Sequence, residues 1–206
     1  KSIKFDSQEL GELWCYNINY FDFLIQHEKN FEIEKEIIDE WICRAYKSES
    51  IVWDPYPVSI RLVNLIKWFS INKSSLCKID QNKIVFCIKN HEEYLRRNIE
   101  YHLGGNHLIE NYISLLIASI FFNSEIRIVR DFKRVSNEVK KQFLDDGFHF
   151  KKNSLNGIYI TQGFGYLQHQ IFIDTRQQNI PQLNENMKKG YDRFSNGLST
   201  KFSIDY

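Results

Sequence analysis

Long apolar runs are missing from this 206-residue sequence, and no stretch approaches the ~20 residues that a membrane-spanning helix needs. Net charge is missing as well. Twenty-seven Lys and Arg against 26 Asp and Glu leave +1, so no global field points to nucleic acid or to a membrane surface. Cysteine is sparse: Cys15, Cys43, Cys77 and Cys87 stand far apart without a C-x-x-C pair. No zinc spacing is present, and buried thiols are the expectation, with a disulfide between two of them left open. Strand patterns are scarce, Ile158–Ile160 being a short extended candidate, and no tight internal repeat occurs. A signal peptide is lacking too, although the chain starts at Lys1 without Met, as a processed or partial sequence does.

What is abundant is aromatic surface. Sixteen Phe, 11 Tyr and 4 Trp make up 15% of the chain. Most must be core, but the excess leaves ring faces for stacking, and without a basic excess sugars are the better partner than nucleic acid. Apolar residues at 43% and charged residues at 26% form an ordinary globular balance. Apolar positions recur with helical period, which predicts helices at 8–27, 31–47, 57–72, 79–102, 108–122, 125–144, 162–178 and 181–194. The fold class is therefore all-α. Helices of this length with short links imply hairpins packed side by side, compatible with a bundle, a solenoid or a toroid.

Three polar clusters interrupt this pattern. In Glu100-Tyr101-His102-Leu103-Gly104-Gly105-Asn106-His107 the glycines allow a sharp turn, and they deliver Asn106 and His107 to a helix start. Free N–H groups and the positive dipole end favour an anion there. Spacing alone favours a glycine cap followed by an asparagine cap, with His107 on the surface. In Asp145-Asp146-Gly147-Phe148-His149-Phe150 the Asp-Gly pair signals a turn. His149 lies between aromatics, as a core histidine does, and Tyr159 follows as a candidate acid or base. In Trp53-Asp54-Pro55-Tyr56-Pro57-Val58-Ser59-Ile60-Arg61, Arg61 and Asn64 share a helix face. The guanidinium suits a uronate carboxylate, or equally an acidic residue on a neighbouring helix. His102, His107 and Glu110 make no metal site, because the glycines break the helix that would align them, and no cofactor is called for.

Together these segments resemble the heparinase II/III family of polysaccharide lyases. Residues 13–24, Leu-Trp-Cys-Tyr-Asn-Ile-Asn-Tyr-Phe-Asp-Phe-Leu, are similar to its L-W-x-Y-N-L-x-Y-F-x-x-L opening. Trp53 to Trp68 resembles W-x-P-Y-P-x-S-x-R-x-x-N-W, His102 to Asn111 resembles H-L-x-G-N-H-L-x-E-N, and Gln142 to Phe150 resembles Q-x-L-x-D-G-x-H-F. The resemblance implies an incomplete (α/α) toroid over residues 1–206, like that of the hyaluronate, chondroitin and alginate lyases. It also implies that this chain is part of a longer protein whose C-terminal β-sandwich it does not include. The implied activity is β-elimination on an acidic, uronate-containing polysaccharide, with Asn106 and His107 neutralising the carboxylate and a tyrosine as base and acid. Tyr159 is the first choice for that tyrosine. The family continues E-R-S-P-x-Y-H where this chain has Lys151-Lys152-Asn153-Ser154-Leu155-Asn156-Gly157-Ile158-Tyr159. Thr161-Gln162-Gly163-Phe164-Gly165-Tyr166 resembles the T-G-x-Y-G turn of the hyaluronate and chondroitin lyases, with Phe164 in the tyrosine's place and Tyr166 as the fallback. Trp53, Tyr56, Arg61, Asn64, His102 and His149 are the implied sugar-binding residues.

Two further functions keep part of this pattern. One is a non-catalytic carbohydrate-binding toroid in polysaccharide assembly or export, suggested by the altered loop before Tyr159. The other is a helical scaffold for protein partners, which leaves the Gly-Gly-Asn-His cluster without a purpose. An acidic polysaccharide is the expected partner, nucleic acid is not, and a periplasmic or secreted location is favoured over a cytoplasmic one.

Overall fold

A proline pair opens the first long helix. Pro55 and Pro57 sit in its first turn, where the missing N–H groups would have had no intrahelical acceptor. The helix runs Pro55–Asn72 (α3), two residues earlier at its start than periodicity predicts. In the computed structural model residues 5, 9, 11–25, 30–44 and 51–142 are described. The other α-helices are α1 (Glu12–Tyr20), α2 (Phe31–Arg44), α4 (Lys78–Arg97), α5 (Gly105–Phe121) and α6 (Glu125–Gln142). Short 3-10 turns at Asp22–Ile25, Ile51–Trp53 and Lys73–Ser75 complete the described elements, none of which is a strand. The helices predicted over 162–178 and 181–194 and the extended piece at 158–160 lie outside the described residues.

Two boundaries differ from the periodic pattern for local reasons. The segment predicted as one helix over 8–27 is interrupted at Phe21, whose φ of 63° is left-handed and ends α1. The helix predicted to reach residue 102 stops at Arg97, where Asn98 leaves helical geometry and its N–H returns to Tyr94 and Leu95 carbonyls. Residues 101–103 then form a turn, and Gly104, not a helix interior, takes the positive φ of 56°.

The chain divides into two compact units, residues 1–135 and 136–206. In the first, α5 is the central helix, buried at every position from Leu108 to Ile120 and packed on α3 and α4. A helix apolar on all sides needs neighbours on all sides. Phe69 of α3 meets Phe121 of α5 edge-on at 5.7 Å, while Ser114 Oγ donates to the Ser59 carbonyl at 2.9 Å. In the second unit the last turns of α6 are described, with Gln142 Nε2 donating to Glu138 Oε1 at 2.9 Å.

Polar groups inside the first unit are paired in two knots. Arg61 is fully buried, its Nε donating to His91 Nε2 at 2.8 Å and its Nη1 and Nη2 to the Asn19 and Val52 carbonyls, each at 3.0 Å. His91 Nδ1 donates to the Cys87 carbonyl at 2.8 Å, which makes the ring the neutral Nδ1–H tautomer. Burial and the adjacent guanidinium hold the His91 pKa well below its usual value, and burial pulls Arg61 down to about 9. The guanidinium also lies 4.4 Å from the Trp41 ring. In the second knot Arg96 of α4 reaches Asp131 of α6 at 2.8 Å and Ser119 of α5 at 2.7 Å, and Ser119 donates to Asp131 at 2.7 Å. All four cysteines are free thiols; Cys15 and Cys87 are buried as expected, whereas Cys43 and Cys77 are exposed, the latter at the N-cap of α4.

Candidate functional site

Two helix starts converge at one end of the first unit. Tyr56, in the first turn of α3, and His107, in the first turn of α5, bring their rings to 4.3 Å between centroids at 30°. The positive dipole ends of both helices therefore lie here, although Pro55 and Pro57 carry no N–H, so that α3 has fewer donors to offer than α5. Gly104 and Gly105 make the approach possible by taking φ of 56° in succession, and Leu108 N–H then closes the first turn of α5 on the Gly104 carbonyl at 3.4 Å.

The loop that delivers this turn is bolted from below. Asn111 Oδ1 accepts from the Glu100 backbone N–H at 2.9 Å, and its Nδ2 donates to Ser59 Oγ at 2.9 Å and to Glu100 Oε2 at 3.3 Å. Asn111 is thus a buried bracket between the loop and α3 rather than a cap. The other Glu100 oxygen lies 3.3 Å from His107 Nδ1. A carboxylate only accepts, so Nδ1 is the donor in this contact. Glu100 is buried, whereas the His107 side chain keeps 36% of its surface exposed. The imidazole is held from behind and accessible in front.

Around it the aromatic surface is continuous. Tyr20 meets Tyr56 edge-on at 6.1 Å, and Tyr16 stacks parallel to Tyr20 at 6.4 Å. Tyr16 donates to Asp54 Oδ2 at 2.7 Å, and burial with that carboxylate beside it raises its pKa far above the usual phenol value. It keeps its proton at any ordinary pH. Trp53 packs on Tyr94 at 5.0 Å and on His91 at 5.1 Å and so belongs with the Arg61 knot.

One turn beyond Asn106 on the same face of α5 stands Glu110. It is buried, its Oε1 has no hydrogen-bond partner, and burial pushes its pKa up to about 7 against the opposing pull of Lys67. Near neutrality this group is as much a carboxylic acid as a carboxylate. Burial lowers Lys67 and raises Asp22, and Asp22 Oδ1 accepts from Asn64 at 2.9 Å.

The expected site residues therefore fall into three groups. His107 and Tyr56 are brought together, with Asn106 next to His107 in the first turn of α5 and His102 exposed in the preceding turn, whereas Trp53 packs against His91 and Tyr94. Arg61 and Asn64 are interior: all three kinds of Arg61 nitrogen are committed to protein acceptors, and Asn64 is taken by the Tyr20 carbonyl and Asp22. They shape the wall rather than face a ligand. His149, Tyr159 and Tyr166 lie outside the described residues. Sequence reasoning did not single out Glu100, Tyr16, Tyr20 or the buried acid Glu110 as site residues. Their spacing from Asn106 and Tyr56 was visible, but their burial was not.

A family model described as Heparinase II/III N-terminus matches residues 16–193, well over half of the chain. No curated protein and no solved structure was found to match it.

Proposed function

Since this chain belongs to the heparinase II/III N-terminal family, we propose that it is the helical part of a lyase acting on an acidic, uronate-containing polysaccharide. The observation that carries this reading is the contact of His107, next to Asn106 at the start of α5, with the Tyr56 ring at the start of α3. Membership ties the chain to polysaccharides, and the two dipole ends supply what a sugar carboxylate requires.

Elimination begins with loss of the proton on the carbon next to the uronate carboxylate. That proton is weakly acidic until the carboxylate charge is neutralised. The Asn106 side-chain amide and the backbone N–H groups of Asn106 and His107 at the start of α5 donate to the carboxylate. A base removes the proton, the electron pair forms the carbon–carbon double bond, and the glycosidic C–O bond breaks. An acid then protonates the departing oxygen. Tyr159 or Tyr166 is our candidate for base and acid, and His107, held by Glu100, joins Asn106 at the carboxylate. Tyr56, Tyr20 and Tyr16 offer ring faces to the sugars.

The test is to incubate the chain with uronate polymers and follow the absorbance of the unsaturated product. Turnover that falls by at least about a hundredfold in Asn106→Ala supports the reading, the size expected for one transition-state donor. Turnover unaffected by Asn106→Ala contradicts it. The sequence over 151–159, which departs from the family pattern, favours a second reading as a non-catalytic carbohydrate-binding toroid. Binding of uronate oligosaccharides without product, unchanged by Tyr159→Phe, distinguishes that case.

A further inference from the structure

The chain is nearly neutral as a whole, yet its charge is sorted by helix. α2 carries five acidic residues against two basic ones. The first half of α6 reverses this, with Arg127, Arg130, Lys133 and Arg134 against Glu125 and Asp131. Asp131 is buried, so its charge does not face outward with the others.

The second buried knot is supplied with more positive charge than it uses. Glu92, fully buried, is met by Lys89 at 2.7 Å, Arg96 at 2.9 Å and Arg127 at 2.7 Å. Asp131 is met by Arg96 at 2.8 Å, Arg130 at 3.2 Å and Arg134 at 3.6 Å. Glu93 stands 3.7 Å from Lys89. Five cations thus share three carboxylates among the described residues. The surplus points outward, for the side chains of Arg127, Arg130 and Arg134 keep 36%, 46% and 35% of their surface. These three recur at i, i+3 and i+7 and so form one stripe of α6. Each is anchored from within through one nitrogen, which lowers the entropy lost when the rest of the fork binds an anion.

We propose that this stripe, with exposed Lys133 beside it, is a second binding surface for acidic polysaccharide, separate from the Asn106–His107 site. The inference rests on the proposed polysaccharide function for its choice of polyanion. Guanidinium forks match carboxylate and sulfate bidentately, and a surface stripe fits an extended chain better than a compact ligand. Ser119, which ties Arg96 and Asp131 together, lies about 20 Å along α5 from Asn106 at 1.5 Å per residue. Only a chain of several sugars reaches both. The surface would therefore hold long substrates and leave short ones unaffected.

The experiment measures binding of polygalacturonate, as long chains and as a trisaccharide, across a salt series. Arg127→Gln with Arg130→Gln should weaken long-chain binding about tenfold, two exposed ion pairs' worth. The slope of log affinity against log salt should fall by about two. Trisaccharide binding and turnover should not change. Lys133→Glu, at an exposed position outside the knot, provides a variant that spares the fold and should weaken long-chain binding in the same direction. If the wild-type chain binds no polyuronate of any length, the proposed function and this surface fall together. If it binds long chains and both variants bind them equally well, this surface alone is refuted. If the variants lose only binding to duplex DNA or to anionic vesicles, the partner class is wrong.

Discussion

Glu110 should make the stability of this protein fall as pH rises through neutrality, and Glu110→Gln should abolish that fall. In the unfolded chain the carboxyl ionises at its ordinary 4.5, while in the folded chain burial delays ionisation to about 7. Between these values the folded state holds a proton that the unfolded state has released, so stability decreases with increasing pH. The contribution is fully present below about 4.5 and is lost as pH rises through about 7. At 1.36 kcal/mol per pH unit, that interval corresponds to about 3 kcal/mol. Asp22, also raised by burial, acts in the same direction, whereas Glu92 and Asp131, lowered by their arginines, act in the opposite direction at lower pH. The difference between wild type and Glu110→Gln cancels these terms. Urea unfolding of both proteins at steps from about pH 4 to about pH 8 measures it. The variant should match wild type at the acid end and exceed its stability by about 3 kcal/mol at the alkaline end. Parallel curves across the range would show that Glu110 ionises normally, and the argument for a protonated acid beneath Asn106 would fail.

Other perturbations give equally definite outcomes. Arg61→Met leaves the Asn19 and Val52 carbonyls and His91 Nε2 without their donor, and should cost about 4 kcal/mol in urea unfolding; a loss below about 1 kcal/mol would mean the knot is dispensable. Gly104→Ala meets nothing within 4 Å yet must hold φ of 56°, so it should cost about 1–3 kcal/mol from the backbone alone. A thermal shift indistinguishable from wild type would contradict this. Asp131→Asn removes the carboxylate shared by Arg96, Arg130 and Arg134 and should cost about 3–5 kcal/mol, with faster amide exchange in α6; unchanged exchange would show that the knot does not hold that helix.

Helix positions were legible in the sequence because burial imposes a period on apolar residues, and α5, with Leu108, Ile109, Tyr112 and Ile113 on successive turns, shows it plainly. The turn before α5 was legible too, since two glycines in succession rarely continue a helix, but the helix starts at Gly105 rather than at the predicted 108. Arg61 was not. A lone arginine in a polar motif looks like a ligand-binding group, and its acceptors on Asn19, Val52 and His91 come from 42, 9 and 30 residues away. Nothing local marks them as neighbours. The break at Phe21 was equally hidden, because an aromatic residue does not favour left-handed geometry and tertiary packing imposes it there. Glu110 was visible as a residue but not as an acid with a raised pKa, since that property belongs to the helices packed around it. The clustering of arginines on α6 was visible, but their surplus over buried carboxylates was not.

Carboxylate recognition at the start of α5 is the central claim, and it is tested most directly by binding a uronate trisaccharide, too short for the arginine stripe, beside the same trisaccharide with its carboxyls reduced to alcohols. Wild type should prefer the acidic form by about tenfold or more, as a charge-assisted hydrogen bond of about 1.5–3 kcal/mol requires. Asn106→Ala with His107→Ala should bind both forms alike. Equal binding of both forms by wild type, or an undiminished preference in the variant, would contradict the account.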